Sequence, residues 1–252
     1  MTSTVKSILS GIAMAYAALY LTRAIQFVLE FNHDMGISRG DIASLNTHGC
    51  APVTFTAKQG EMGKEKEVWL EGCEDVHVHQ KSGLAFTACV KNVESRKVWY
   101  PPASKLSKED TRLNGWLKDR LVVYDIENGF AQEMELVGFP ADVDRVFHGL
   151  DFYENLTTPV SSTTENSSDD DKNKELALTL FVVNHRRTGS VVEVFEYTRT
   201  TNKSLGVVRY AETVVSELIR TPNDVLAMGR RSFYVTNDHF YKQGYMRNIE
   251  GT

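Results

Sequence analysis

Leu178-Thr179-Leu180-Phe181-Val182-Val183-Asn184-His185, then Arg187-Thr188-Gly189-Ser190, then Val191-Val192-Glu193-Val194-Phe195-Glu196-Tyr197 is the stretch that decides the fold. Its two arms are rich in β-branched and aromatic residues, and its middle carries a glycine turn. The second arm alternates in part with the period of two that a strand imposes. The stretch therefore predicts a β-hairpin, with the first strand reaching back to Leu176. The same kind of short run recurs at Leu84–Val90, Leu121–Ile126 and Ser232–Thr236. Glu127-Asn128-Gly129 reads as a second hairpin loop. Strands of this length and rhythm predict an all-β fold of hairpin-linked antiparallel sheets.

The flanking segments differ. Residues 1–30 predict one apolar helix, with no charge from Ser7 to Thr22 between Lys6 and Arg23. A spanning helix needs about 20 apolar residues, so this run is slightly short unless Arg23 snorkels and extends it towards Leu29. A retained signal-anchor is favoured over a cleaved signal, because no convincing small-x-small cleavage site precedes Arg23. It is favoured also over a buried core helix. Either of the first two readings places the chain in the secretory pathway, membrane-anchored or extracellular. Residues 31–72 read as a polar leader, and residues 73–252 as the β-rich domain. Asn155–Glu175 is a Ser/Thr/Asn/Asp insert that cannot bury enough apolar surface to order itself. It is expected to lengthen a surface hairpin between the strand at His148 and the strand ending at Asn184. Asp169-Asp170-Asp171 within it reads as a solvated acidic run.

Composition narrows the function classes. With 28 basic and 33 acidic residues the net charge is −5, which argues against nucleic acid as a partner. Asn155-Leu156-Thr157, Asn166-Ser167-Ser168 and Asn202-Lys203-Ser204 are glycosylation acceptor triplets. Three cysteines leave at least one unpaired within the chain. Cys89 lies in an apolar run and reads as a core residue, and Cys50 in the leader is the better disulfide candidate. The chain carries no G-x-G-x-x-G, P-loop, G-x-S-x-G or H-E-x-x-H motif, which excludes dinucleotide enzymes, ordinary kinases, serine α/β-hydrolases and zincins. His77-Val78-His79 puts two imidazoles on one strand face. A half-exposed strand pair is the plain reading, and the start of a zinc site the sharper one.

The oxygen-rich fragments carry the candidate chemistry. Glu74 and Asp75 are adjacent carboxylates, and neighbours in a strand point to opposite faces, so the pair can serve two cations. Asn223-Asp224 repeats the arrangement with an amide and a carboxylate. Such oxygens suit calcium, which takes six to eight of them. Taken singly, each pair is more often turn or capping chemistry. His148, before Gly149-Leu150, and His185, at the end of the first arm, could act as a base and its orienting partner. Each alone is more often a structural histidine.

Order and context raise these odds. Glu74-Asp75, Gly83-Leu84-Ala85-Phe86, His148-Gly149-Leu150, Leu180-Phe181-Val182-Val183-Asn184-His185, Asn223-Asp224-Val225 and Phe233-Tyr234-Val235-Thr236-Asn237-Asp238-His239-Phe240 follow one another as they do in one family. Over roughly residues 74–245 the chain resembles the paraoxonase/arylesterase family of calcium-dependent lactonases and esterases. The resemblance implies a six-bladed β-propeller with two calcium ions in its tunnel, of which this chain would supply about three blades. It implies that Glu74 and Asn223 bind the catalytic calcium, and that Asp75, Asp224 and the Leu150 carbonyl bind the structural one. His148 would activate water, with His185 as its partner. The substrates implied are lactones and aryl esters, with organophosphates as side substrates, and the N-terminal helix matches a retained signal-anchor. Cys50 matches a cysteine whose partner lies near the family's C-terminus. With later-blade ligands missing, activity of this truncated chain is in doubt. The rival expectation is a non-catalytic, calcium-stabilised propeller fragment that acts as a binding module.

Overall fold

A computed structural model describes residues 3–34, 48–51, 53–59, 64–107, 117–155, 176–199 and 205–250. The chain divides into two units, Met1–Cys50 and Ala51–Gly251. In the first, helix α1 spans Ser3–Asp34, a few residues beyond the expected end. No proline interrupts it. Its segment Ser7–His33 has 27 residues and a mean hydropathy of 1.5. At 1.5 Å per residue this is about 40 Å long, more than the roughly 30 Å of a bilayer core. Ile8, Leu19 and Leu29 are all more than half exposed, which does not support the reading as a buried core helix. An apolar, unburied N-terminal helix is compatible with a signal or an anchor.

The second unit is built from strands. They are β1 (Thr54–Gln59), β2 (Lys64–Trp69), β3 (Glu71–His79), β4 (Leu84–Val90), β5 (Trp99–Tyr100), β6 (Lys105–Leu106), β7 (Arg120–Asp125), β8 (Phe130–Glu133) and β9 (Leu136–Val137). They continue as β10 (Phe147–Glu154), β11 (Leu176–Arg186), β12 (Gly189–Arg199), β13 (Val207–Val214), β14 (Pro222–Gly229) and β15 (Ser232–Asn237). Short helices α2 (Val93–Arg96) and α3 (Tyr245–Glu250) complete it. Strands β3-β4-β7-β8 form a four-stranded antiparallel sheet, and β10-β11-β12-β13 a second, to which β9 adds in parallel along β13. Strands β14 and β15 form a hairpin. No sheet among the described residues closes on itself.

The deciding hairpin is the middle layer. Leu178, Leu180 and Val182 of β11 pack with Phe195 and Tyr197 against Leu84, Phe86, Leu121 and Val123 of the first sheet. Phe181 and Val183, one residue out of phase, pack with Val192 and Val194 against Ile219, Val225, Phe233 and Val235. Because β11 is buried on both faces, its apolar run is continuous rather than alternating. Each fully buried Leu, Val or Phe of this layer contributes about 1.5–3 kcal/mol.

Two sequence readings are corrected. Within the expected polar leader, β1 and β2 pair as a hairpin (Thr54 with Trp69, Gln59 with Lys64). Their Lys, Glu and Gln residues disguised a strand pair as a loop. Cys73 and Cys89 form a disulfide, while Cys50 is free and exposed. The reason is the pairing of β3 with β4, in which Glu74 faces Ala88 and Glu71 faces Val90. That register sets Cys73 beside Cys89, and the pairing of β3 was not read from the sequence. Strands β10 and β11 are antiparallel neighbours, as expected of the segments that flank the insert. The insert after Asn155, its acidic run and the triplets at Asn166 and Asn202 lie outside the described residues.

Candidate active site

Two irregularities in the sheets build the site. Strand β3 shifts register between Glu71 and Glu74 and again between Glu74 and Val76, so Glu74 and Asp75 sit on a double bulge. Asp75 takes a left-handed backbone, φ +57°, which costs an L-residue roughly 1–2 kcal/mol. Its carboxylate offsets this by accepting the N–H groups of Val76 (2.8 Å) and Leu150 (3.0 Å). Strand β10 shifts register between Phe147 and Leu150, which frees His148 and Gly149 from regular pairing. A Cβ at Gly149 would lie 2.5 Å from the Asn223 carbonyl oxygen and from Asp224 Cα and Oδ1. Only glycine lets β14 come this close, and this approach carries Asn223-Asp224 to the corner of Asp75 and Leu150.

One group of side chains forms a hydrogen-bonded line. Ser190 Oγ is 2.9 Å from His185 Nδ1, and His185 Nε2 is 3.4 Å from His148 Nδ1. His148 Nε2 is 3.3 Å from Glu74 Oε2, and the Tyr100 hydroxyl donates to Glu74 Oε1 at 2.8 Å. The Tyr100 ring stands edge-on to both imidazoles, with centroids at 5.5 and 6.3 Å. Burial pushes the pKa of His148 down, and Glu74 beside it only partly offsets this. Burial, then the charges of His148, Arg96 and Lys242, hold His185 well below the ordinary histidine range. Both rings are therefore neutral at pH 7. Burial and the neighbouring Glu74 push Tyr100 up, so its hydroxyl keeps its proton.

A second group is charged. His77 lies between Asp151 (2.9 Å) and Asp75 (3.3 Å), and these hydrogen bonds, Asp151 first, raise its pKa to about 10. Burial raises Asp75, but the hydrogen bonds from His77, Leu150 and Val76 outweigh it and hold the carboxyl below the usual range. Asp151 is held down in the same way by His77 and the Ala227 and Phe152 N–H groups, against its burial. Asp224 differs: burial and the like charge of Asp75 raise it, despite an N–H from Val225.

Buried polar contacts brace the line. Asn184, fully buried, accepts the Val146 N–H (2.9 Å) and donates to the Asp144 carbonyl (2.9 Å) and Glu193 Oε1 (2.7 Å). Glu193, also fully buried, pairs with Arg186 and accepts from Thr213 at 2.7 Å. Trp99 Nε1 donates to the His185 carbonyl at 2.7 Å. Arg96 donates to Asp119 (2.6 Å) and to the Phe147 carbonyl (2.8 Å), with its guanidinium 4.4 Å above the Tyr100 ring.

The structure thus brings Glu74, His148 and His185 into one hydrogen-bonded line, and Asp75, Leu150 and Asp224 into one corner. Leu150 meets Asp75 through its N–H. Asn223 reaches the corner through its backbone, and among the described residues its side chain makes no hydrogen bond to Glu74. No three His, Cys, Asp or Glu side chains among the described residues form a metal-ligand group. In donor chemistry the corner offers two carboxylates, Asp75 and Asp224, of the type a hard cation takes, with the Asp75 oxygens at present engaged by the Val76 and Leu150 N–H groups and by His77. The Glu74 and Asn223 pair has fewer donors. Sequence reasoning missed Tyr100, Arg96, Ser190 and Asp151. Ser190 had a signal, because a two-residue turn at Arg187-Thr188 places residue 190 opposite His185.

Residues 155–252 match the family model described as Arylesterase. Over these residues the chain carries the pattern of that class, and the resemblance to the paraoxonase/arylesterase family holds. Among curated proteins it is 39% identical over 71 residues to serum paraoxonase/arylesterase 1 of Mus musculus, covering 28% of this chain and 19% of that protein. It is 37% identical over 71 residues to serum paraoxonase/arylesterase 2 of Homo sapiens, with the same coverage. It is 30% identical over 77 residues to serum paraoxonase/lactonase 3 of Homo sapiens, covering 31% of this chain and 21% of that protein. The matches span about a fifth of the length of these relatives.

Proposed function

We propose that this chain is a calcium-dependent hydrolase of lactones and aryl esters, built on blades of a six-bladed β-propeller and held to a membrane by α1. The observation that carries the reading is the Glu74–His148–His185–Ser190 line. In the tautomer that donates Nδ1–H to His185, a neutral His148 can accept a proton at Nε2 from a water that enters between it and Glu74, and the Glu74 carboxylate, 3.3 Å away, stabilises the imidazolium that results. His185 and Ser190 orient His148 by fixing which of its nitrogens faces Glu74. Tyr100 closes one side, keeping the base dry and its pKa low. Asp75, Asp224 and Leu150 would hold a structural calcium, and Glu74 and Asn223 a catalytic one. When bound, calcium supplies Lewis-acid polarisation of the substrate carbonyl.

The test is hydrolysis of phenyl acetate and of a simple lactone by the full chain, in calcium and in EGTA, with His148→Gln beside it. Hydrolysis that needs calcium and falls by about 10²–10⁴ in the variant is expected. A second reading, a calcium-stabilised binding module without catalysis, is favoured by the lack, among the described residues, of a hydrogen bond between the Glu74 and Asn223 side chains. It predicts a calcium-dependent rise in Tm with no hydrolysis by either protein.

A further inference from the structure

A cavity of about 220 Å³ has His185 and Ser190 among its lining residues. One wall is apolar, formed by Trp99, Pro101, Pro102 and Leu106. Other lining residues are cationic. Arg186, Arg187, Arg220, Lys242 and Arg247 all line the cavity, and Asp238 is the one carboxylate among the lining residues. Two of these cations are already neutralised, Arg186 by Glu193 and Arg187 by Asp144.

Arg220, Lys242 and Arg247 make no side-chain ion pair among the described residues. Arg220 donates Nε to the Glu217 carbonyl at 3.2 Å and stacks 4.1 Å above the Phe240 ring. Arg247, only 7% exposed, donates to the carbonyls of Lys242 (3.0 Å) and Pro102 (2.8 Å). Lys242 is exposed at the rim and makes no ion pair among the described residues. Arg247 has Glu250 within electrostatic reach, but that carboxylate also accepts the Phe240 and Tyr241 N–H groups, and the lining still carries more positive than negative charge, which favours an anion. The apolar residues of the same lining favour an organic body over a small inorganic ion.

We propose that this cavity binds the carboxylate of a small organic acid, with its apolar part against Trp99, Pro101 and Leu106. The inference rests on the hydrolase reading for its place in the reaction. Hydrolysis of an ester by water yields a carboxylate, an alcohol or phenol, and one proton. The carboxylate forms beside the histidine pair, and His185 is the wall shared by the pair and the cavity. Substrates whose acid half carries an apolar group of this size are then preferred, and their acid products inhibit.

The probe pair is phenylacetate and its neutral isostere phenylacetamide, titrated into the full chain by calorimetry and by quenching of tryptophan fluorescence. Phenylacetate is expected to bind about tenfold more tightly than the amide, with an affinity that falls as salt rises. Lys242→Gln, at an exposed position, is expected to weaken phenylacetate by about fivefold while Lys242→Arg retains it. Arg220→Gln is a second, independent probe of the same lining. Equal affinity for acid and amide, no binding of either, or indifference to both Gln variants overturns the proposal. Inorganic phosphate binding as tightly as phenylacetate overturns the organic-acid assignment. Phenylacetate binding without ester hydrolysis supports the cavity and removes the hydrolase reading. Hydrolysis without any preference for the acid over the amide removes the cavity alone.

Discussion

His148 and His185, on adjacent strands, are 8% and 1% exposed and stay neutral, whereas His77, across the corner on β3, is half-buried and carries a charge. Both regions hang on the same bulges. They differ in what reaches the imidazole. The pair has one carboxylate beside it and a deep burial that removes water from both rings. His77 has two carboxylates, and they outweigh its partial burial. One fold therefore tunes histidine in opposite directions over a short distance. This teaches that partner count, more than depth alone, sets the charge.

The comparison can be broken most forcefully from underneath. Glu193→Ala leaves Arg186 without its carboxylate and removes an acceptor from Asn184. A loss of about 3–5 kcal/mol in unfolding free energy is expected, read by urea denaturation. If the line alone depends on this brace, hydrolysis falls while the calcium-dependent shift in Tm survives. The next effect falls on the acid corner. Cys73→Ala opens the bridge to Cys89, which closes a 16-residue separation beside the double bulge. The expected cost is about 3 kcal/mol, measured against wild type in urea without reductant. A smaller effect sharpens the contrast within the corner. Asp224→Asn removes a carboxylate whose ionised form burial and Asp75 disfavour, so Tm in EGTA rises, while the gain on adding calcium shrinks.

The subtlest test is pH, followed by Tm in EGTA. His77 has a folded pKa of about 10, above its unfolded value near 6.5. Its contribution is complete below about 6.5 and is lost as pH rises through 10. His148 and His185 are shifted down, so the unfolded chain takes up protons first. Their contribution is present above about 6.5 and is lost as pH falls towards their folded values. Stability should thus decline on both flanks. His77→Gln should flatten the alkaline flank and, by removing the bonds that hold Asp75 and Asp151 down, also lessen the loss in acid, and an unchanged alkaline flank would remove the charged assignment of His77.

What the sequence made legible follows from burial. Strands β4, β11 and β12 are packed on both faces, so their apolar runs stand out and their bounds were read to within a few residues. Strands β1 and β2 carry Lys, Glu and Gln and were read as leader. Strand β13, with Arg209 and Glu212, was not read at all. His148, His185 and the acid pairs were legible because their residue types and order are distinctive. Tyr100 and Arg96 come from the irregular segment between β4 and β7, where no periodicity tells which side chain turns inward. The Cys73–Cys89 pairing required the register of β3, which a bulged strand hides. His77 read as a plain strand histidine because Asp151, which charges it, arrives from 74 positions further along the chain.

The cluster of Asn184, Arg186, Glu193 and Thr213 has a consequence for how such a chain can change over generations. Each member is satisfied by the others, so a lone substitution strands a buried charge or amide, and the first step of any replacement is the worst one. Drift cannot exchange these four residues one at a time through neutral intermediates. Exposed residues that line the cavity, such as Lys242, are not held in a buried side-chain network of this kind, and substitution there meets no such first-step cost.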